Sequence, residues 1–509
     1  MAVLQIFDNF IQQTDNLAHD KMNNRGTTLR VLHRGTIVLL KPAILIKTDM
    51  LIKPDILIKP ATLIKQAARI KQMTLLLLLF LFSLFGVAKA ATQVVNVKSE
   101  LAAPVMLANS EDKNYLKISL TGFNLDSTRR SPINLALVID RSTSMSGERI
   151  EKAREAAILA VNMLNITDTL SVVAYDNHAE VIIPATKVTD KPALIASIQQ
   201  HIHPRGMTAL FAGVSMGIGQ VDKHLNREQV NRIILISDGQ ANTGPTSISE
   251  LSDLARMAAK KGIAITTIGL GQDYNEDLMT AIAGYSDGNH TFVANSADLE
   301  KAFTKEFQDV MSVVAQDIVV QIKTGDKVKP VRLLGRDGDI LGNTVNVKLN
   351  QLYSNQEKYI LLEVIPEKGT DKQQKDLADV SISYLNLSSK KQDQINERVT
   401  VSYSQSVEKV NDAVQEEVLA ESEIQKTALA NDEAIKLIDA GRKDEAKKVL
   451  ESNASKLDSM SFSSPVAEKK VRESTNKQRK LADDIDSKDA ATYRKELKEQ
   501  NYNVKQQQK

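Results

Sequence analysis

A carboxylate and two hydroxyls stand two residues apart at Asp140, Ser142 and Ser144, within Asp140-Arg141-Ser142-Thr143-Ser144-Met145. At positions i, i+2 and i+4 of one turn, these short side chains can converge on a point. A third hydroxyl, Thr208, lies in Gly206-Met207-Thr208-Ala209-Leu210 at the start of an expected helix, and a second carboxylate, Asp238, precedes Gly239 at the end of the apolar stretch Arg232–Ser237. All five are hard oxygen donors and only two carry charge, a set that suits Mg²⁺ best, with Mn²⁺ or Ca²⁺ next. Either acid alone has an ordinary reading as a turn or helix cap. Their conjunction with three hydroxyls is what points to a metal.

The elements that must hold these residues alternate strand with helix. Leu135–Ile139 is a continuous apolar run, as expected of a central parallel strand covered on both faces. Ile150, Ala153, Ala157, Val161 and Leu164 recur at helical spacing within Glu148–Leu164. Strands are expected at Leu170–Tyr175 and Glu180–Ile183, joined at Asp176-Asn177, then at Arg232–Ser237, Ala264–Leu270 and His290–Ala294. Between them fall helices marked by Leu194–Ile202, Leu210–Leu225, Ile248–Ala258 (closed by Gly262) and Asp277–Tyr285, and after them one marked by Leu299, Phe303, Phe307, Val310 and Val314. This alternation predicts a doubly wound, Rossmann-like α/β unit over 132–315. In such sheets ligands bind beyond the carboxyl ends of the strands, where Asp140 and Asp238 stand.

The flanks differ in kind. Strand-like stretches occupy 92–123, and a linker rich in Ser, Arg and Pro follows at Asp126–Pro132. After Gln316 the pattern is again all-β, and the two segments, 91–131 and 316–404, are expected to complete one β-sandwich around the inserted α/β unit. Residues 405–509 read as helical and strongly charged, with solvated faces and a polar, fraying stretch at Lys488–Lys509. Asp432–Glu451 reads as two helices either side of Ala440-Gly441, like one tetratricopeptide-type unit.

Asp140-x-Ser142-x-Ser144, Thr208 in a Gly-x-Thr-Ala-Leu loop and Ser237-Asp238-Gly239 resemble the metal-ion-dependent adhesion site of von Willebrand factor type A (VWA) domains. LALVIDRSTSM, SVVAYDNHAEVIIP, IILISDGQANTG and ITTIGLGQDYNEDLM are similar to the bacterial calcium-activated chloride channel-like branch, which is related to inter-α-inhibitor heavy chains. The resemblance spans about 95–404. It implies that Ser142, Ser144 and Thr208 ligate the ion directly, and Asp140 and Asp238 directly or through water. It also implies a position left for water or for an Asp or Glu of a protein partner. Thr143 and Met207 stand where that family often has Gly, and neither change removes a ligand. The channel label implies no pore.

Composition narrows the remaining classes. The chain has no cysteine, which excludes disulfides, thiolate zinc sites, thiol catalysis and a lipoprotein anchor. Leu75–Val87 is an uncharged apolar run preceded by Arg69 and Lys71 and followed by Ala88-Lys89-Ala90, the pattern of a cleaved signal peptide over 73–90. The expected destination is the periplasm or the exterior; the alternative is an uncleaved inner-membrane anchor at 75–87. Upstream, Lys41, Lys47, Lys53, Lys59 and Lys65 recur every six residues with interspersed prolines, so 1–72 is assigned no fold, and a start near Met73 is expected. Beyond residue 90 the net charge is −5, which argues against general nucleic-acid binding. The mature chain contains no membrane-spanning run.

Three motifs mimic other chemistry. Gly213-Val214-Ser215-Met216-Gly217 fits the hydrolase nucleophile pattern, but falls inside an expected helix rather than at a strand–helix turn. Gly269-Leu270-Gly271 follows a strand, yet position 274 is Tyr. His201-Ile202-His203 has no obvious third ligand for zinc. The reading is therefore an exported, metal-dependent protein-binding module and not an enzyme. The alternative is an envelope structural or assembly component in which the metal only stabilises; a serine hydrolase using Ser215 is the remote third.

Overall fold

A computed structural model describes residues 94–124 and 130–507. The apolar run Leu75–Val87, the Ala88–Ala90 signature, the lysine repeat and most of the linker Asp126–Pro132 lie outside these residues.

Three strands come first: β1 (Val95–Leu101), β2 (Val105–Leu107) and β3 (Asn114–Gly122). An α/β unit follows, built from β4 (Ile133–Asp140), α1 (Glu148–Met163), β5 (Thr169–Tyr175), β6 (Ala179–Lys187), α2 (Lys191–His201), α3 (Leu210–Asp222), β7 (Val230–Ser237), α4 (Ile248–Lys260), β8 (Ile263–Leu270), α5 (Glu276–Tyr285), β9 (His290–Val293) and α6 (Leu299–Met311). Its sheet runs β6-β5-β4-β7-β8-β9. All neighbours are parallel except β6, which returns antiparallel to β5. The continuous apolar run of β4 has its reason in this sheet. Leu135, Leu137 and Ile139 pack with Ile150 and Ala157 of α1 and Phe303 and Phe307 of α6. Ala136 and Val138 point the other way, toward Val214 of α3, Leu254 of α4 and Leu278 of α5. Local signals agree with the packing: Ser247 and Glu250 form a capping box at the start of α4, and Gly262, at φ +75, ends it.

Strand β10 (Val313–Thr324) begins two residues after α6 ends. Val314, expected on the helical stripe, therefore lies in a strand and packs in the next core. Two adjacent β-branched residues favour the pleated backbone over another helical turn. The remaining strands are β11 (Lys329–Leu334), β12 (Asp339–Leu341), β13 (Thr344–Tyr353), β14 (Glu357–Ile365), β15 (Gln374–Asn386) and β16 (Lys391–Ser404). They form two sheets with the early strands, in the orders β1-β3-β14-β11 and β12-β13-β10-β15-β16-β2. Leu116, Ile118, Ile360 and Leu362 of the first meet Val320, Ile322, Val347 and Ile382 of the second. A fully buried Arg232 ties the α/β unit to these sheets, donating to Glu306 at 2.5 Å, Gln351 at 3.1 Å and Tyr353 at 3.1 Å.

The chain closes with α7 (Val407–Asp412), α8 (Glu416–Asp439), α9 (Lys443–Asp458), α10 (Pro465–Ser487) and α11 (Ala490–Lys505). Two expectations are corrected here. The stretch expected to fray is largely α11, which buries Tyr493, Leu497 and Tyr502. The charged faces are not simply solvated: Glu421 is buried and paired with Lys117 at 2.7 Å and Lys470 at 2.7 Å. Helix α11 docks largely through polar contacts, so its apolar stripe is sparse. Arg494 pairs with Glu276, with Asp277 at 2.8 Å and with Asp439 at 2.6 Å; Lys495 reaches Glu276 at 2.7 Å. Glu499 accepts from Phe292 N at 2.9 Å, and Tyr502 donates to the Gly288 carbonyl at 2.7 Å. Among the described residues no helix is long and apolar enough to cross a membrane.

Candidate metal centre

Chain connectivity reverses at β4, which has β5 on one side and β7 on the other. This leaves a crevice at the carboxyl ends of β4 and β7. Asp140 is the last residue of β4, and Asp238 directly follows β7; both are 0% exposed. The loop after Asp140 turns back at once. Ser142 N donates to Asp140 Oδ1 at 2.8 Å, and Thr143–Met145 make a single 3₁₀ turn. That turn brings the two serine hydroxyls to 2.9 Å from each other, and Ser144 Oγ donates to Asp238 Oδ1 at 2.8 Å.

Thr208 enters from a third loop. Its N–H donates to Asn242 Oδ1 at 2.8 Å, and its carbonyl accepts from Asn242 N at 3.1 Å. The site's floor is shaped by Gly239, where a Cβ would lie 3.0 Å from Thr208 Oγ1 and 3.4 Å from Ser144 Oγ. The five residues singled out by type and spacing thus meet at one crest. The two positions that depart from the family pattern also take part in fastening it. Thr143 donates to the Gly206 carbonyl through both N, at 3.0 Å, and Oγ1, at 2.9 Å. Met207 N donates to Asn177 Oδ1 at 2.7 Å.

Burial dominates the electrostatics. It pushes the Asp140 carboxyl up to about 6, against hydrogen bonds from Ser237 and Ser142 and with some repulsion from Asp238. Burial likewise raises Asp238, opposed by Arg149 and Ser144. Two carboxylates drawn out of water at one point, with hydroxyls between them, form a donor set matched to a small divalent ion.

Residues 134–308 match the model of the von Willebrand factor type A domain. The chain carries a VWA domain. The chain is 28% identical to an uncharacterised protein, sll0103, of Synechocystis over 260 residues, 49% of this chain and 61% of that one. It is 26% identical to the uncharacterised YfbK of Escherichia coli over 42% of this chain and 37% of that one. Inter-alpha-trypsin inhibitor heavy chain H3 of Rattus norvegicus matches at 24% over 37% of this chain and 22% of that one. The chain thus spans less than two thirds of each of these relatives. The same fold appears in a VWA protein from Catenulispora acidiphila, with a TM-score of 0.61 and 15% identity over 72% of this chain and 87% of that one. It also appears in the ArnB paralog VWA2 of Sulfolobus acidocaldarius, with a TM-score of 0.54 and 16% identity over 81% and 99%.

The VWA frame also places the other motifs. Ser215 is exposed in the middle of α3, while Gly213 and Gly217 let that helix approach Tyr175 and Val138. Gly269 lies under the ring of Tyr274. His201 and His203 are exposed, and among the described residues no group of three or more His, Cys, Asp or Glu is placed to hold a metal.

Three participants have no role assigned from the sequence, although Ser237 stands in the Ser-Asp-Gly motif. Ser237 Oγ donates to Asp140 Oδ2 at 2.7 Å, and Tyr175 Oη lies 3.4 Å from the same oxygen. Arg149 Nη1 donates to Asp238 Oδ2 at 2.5 Å. The signal for Arg149 was its position. It stands in the first turn of α1 between Glu148 and Glu151, where the helix dipole favours anions and disfavours a cation.

Proposed function

We propose that one divalent cation binds at Asp140, Ser142, Ser144, Thr208 and Asp238, and that the protein uses it to recruit an acidic residue of a protein partner. VWA domains are typically protein-interaction modules and commonly bind a divalent metal. The observation carrying the reading here is the hydrogen-bonded line Ser142–Ser144–Asp238 beside a buried Asp140. Mg²⁺ suits the hard, weakly charged donor set best, with Mn²⁺ or Ca²⁺ as substitutes. Ser142, Ser144 and Thr208 would hold it directly, and Asp140 and Asp238 directly or through water. When bound, the ion supplies a positive centre that two carboxylates leave nearly neutralised and still able to accept a partner Asp or Glu. The chain's own residues orient the donors: Ser237 aims Asp140, and Asn242 seats the Thr208 loop.

The reading is of a binder rather than an enzyme, in keeping with a Ser215 in mid-helix instead of at a strained strand–helix turn. The apolar run Leu75–Val87 and the Ala88–Ala90 signature support export to the periplasm or beyond. The test is capture of partners from the native envelope with the mature chain in Mg²⁺ against EDTA, repeated with Asp140→Ala. Loss of the same partners in EDTA and in the variant, with folding retained, is the expected result.

A second reading has an observation of its own. Helix α11 packs on α5 and β9 within the chain through ion pairs and hydrogen bonds, a polar surface of the kind that could also dock another protein. An envelope assembly component would bind through such helices and keep the ion as a brace. Partner capture that survives EDTA would favour it.

A further inference from the structure

Arg149 breaks a local rule, and a glycine opposite makes room for it. Its guanidinium lies in the first turn of α1, whose exposed N–H groups disfavour a cation. Gly271, at φ +70 in the loop between β8 and α5, leaves open the space the guanidinium fills. A Cβ there would sit 2.7 Å from Nη2 and 3.1 Å from Cζ. Held in that niche, Arg149 reaches the loops that follow β4, β7 and β8. Nη1 donates to Asp238 Oδ2 at 2.5 Å and lies 3.4 Å from the Ser144 carbonyl, while Nη2 lies 3.4 Å from Asp273 Oδ2. The side chain is only 27% exposed, so the pair with fully buried Asp238 is poorly screened by water.

We infer that Arg149 is a built-in counter-charge that competes with the divalent ion for Asp238. This rests on the metal reading above. Asp238 Oδ1 is engaged by Ser144 and Oδ2 by Arg149. A cation entering the crest must draw on a carboxylate already neutralised by a guanidinium, and it feels that guanidinium's repulsion. Arg149 therefore sets the affinity of the crest low and holds the loops together before the ion arrives. A purely structural arginine and a competing one predict opposite signs. Removing a structural arginine would loosen the loops and weaken metal binding; removing a competitor strengthens it.

The experiment is calorimetric titration of the full chain with MnCl₂, comparing wild type, Arg149→Gln and Arg149→Lys, with circular dichroism to check folding. Arg149→Gln, which keeps a polar side chain but is shorter and loses the charge, is expected to bind Mn²⁺ roughly tenfold more tightly. Arg149→Lys, which keeps the charge but not the fork, should fall between. If wild type binds Mn²⁺ and Arg149→Gln binds it equally or more weakly, the inference is overturned and the metal site stands. If neither binds Mn²⁺ at millimolar concentration, the inference and the metal reading fall together. Should Arg149→Gln not fold, Arg149→Lys carries the test: tighter binding than wild type upholds the inference, and equal or weaker binding overturns it.

Discussion

Ser237 and Asp140 terminate neighbouring strands, and the serine hydroxyl holds the carboxylate at 2.7 Å across 97 residues of chain. Removing a hydrogen bond behind a metal ligand typically costs about 10–100-fold in metal affinity. Ser237→Ala should therefore weaken Mn²⁺ binding by at least roughly tenfold while leaving the thermal midpoint nearly unchanged. Asp140→Ala and Asp238→Ala should abolish binding, and Ser142→Ala, which deletes one neutral donor, should fall between wild type and these. Calorimetric titration ranks the four; equal affinity of Ser237→Ala and wild type would remove Ser237 from the site.

Glycines 213 and 217 bring α3 against the sheet, and Ser215 between them faces solvent. A Cβ at Gly217 would lie 2.5 Å from Val138 Cγ2, and one at Gly213 2.4 Å from the ring of Tyr175. Gly217→Ala should destabilise by about 1–3 kcal/mol through overpacking. Ser215→Ala should be silent, and a fluorophosphonate probe should leave Ser215 unlabelled. Denaturant melts and mass spectrometry read the two halves, and labelling of Ser215 would revive the hydrolase reading.

Lys358 is buried beside Asp287, at 3.3 Å, and burial pulls its ammonium down to about 8 from the usual 10.5. Between those values the unfolded chain binds more protons at this position than the folded one, so the Lys358 contribution to stability rises with pH from about 8 to 10.5. In Lys358→Met that rise is absent. Thermal midpoints measured in parallel from pH 7.5 to 10.5 should move in favour of wild type as pH increases. A constant difference would show that Lys358 titrates as it does in water.

Deleting residues 488–509 strips α11 from α5 and β9, exposing Tyr274, His290 and the edge of β9. The lost burial of Tyr493, Leu497 and Tyr502 should lower the thermal midpoint by roughly 5–10 °C. Hydrogen exchange should speed up in β9 and α5 while β4 stays protected. Unchanged exchange in β9 would mean the helix merely rests on the surface.

For the leader, amino-terminal sequencing of exported protein should find Ala91 first. Recovery of residues 1–72 on it would rule out the signal reading.

The α/β frame and the five donors were legible because buried parallel strands need apolar residues on both faces. The runs Leu135–Ile139 and Arg232–Ser237 announce both the strands and where they stop. What lay hidden was decided across distance. Arg149 is one charge on a helix until Asp238 and Gly271 are set beside it. Val314 continues a helical stripe until the sandwich core claims it. In α11 the docking residues are mostly ions, and their partners Glu276, Asp277 and Asp439 are far away in the chain.

The pairing of β3 with β14 sets an order on synthesis. Ser119 and Glu357, hydrogen-bonded at 2.7 Å, are 238 residues apart. At about 5–20 residues per second, β3 is made roughly 10–50 s before its partner strand exists. Within that interval the whole VWA domain emerges and can close on its own sheet, while β1 and β3 have only each other and the edge of β3 that β14 will cover is unpaired. The early hairpin thus waits with an open strand edge until residues 357–365 are made.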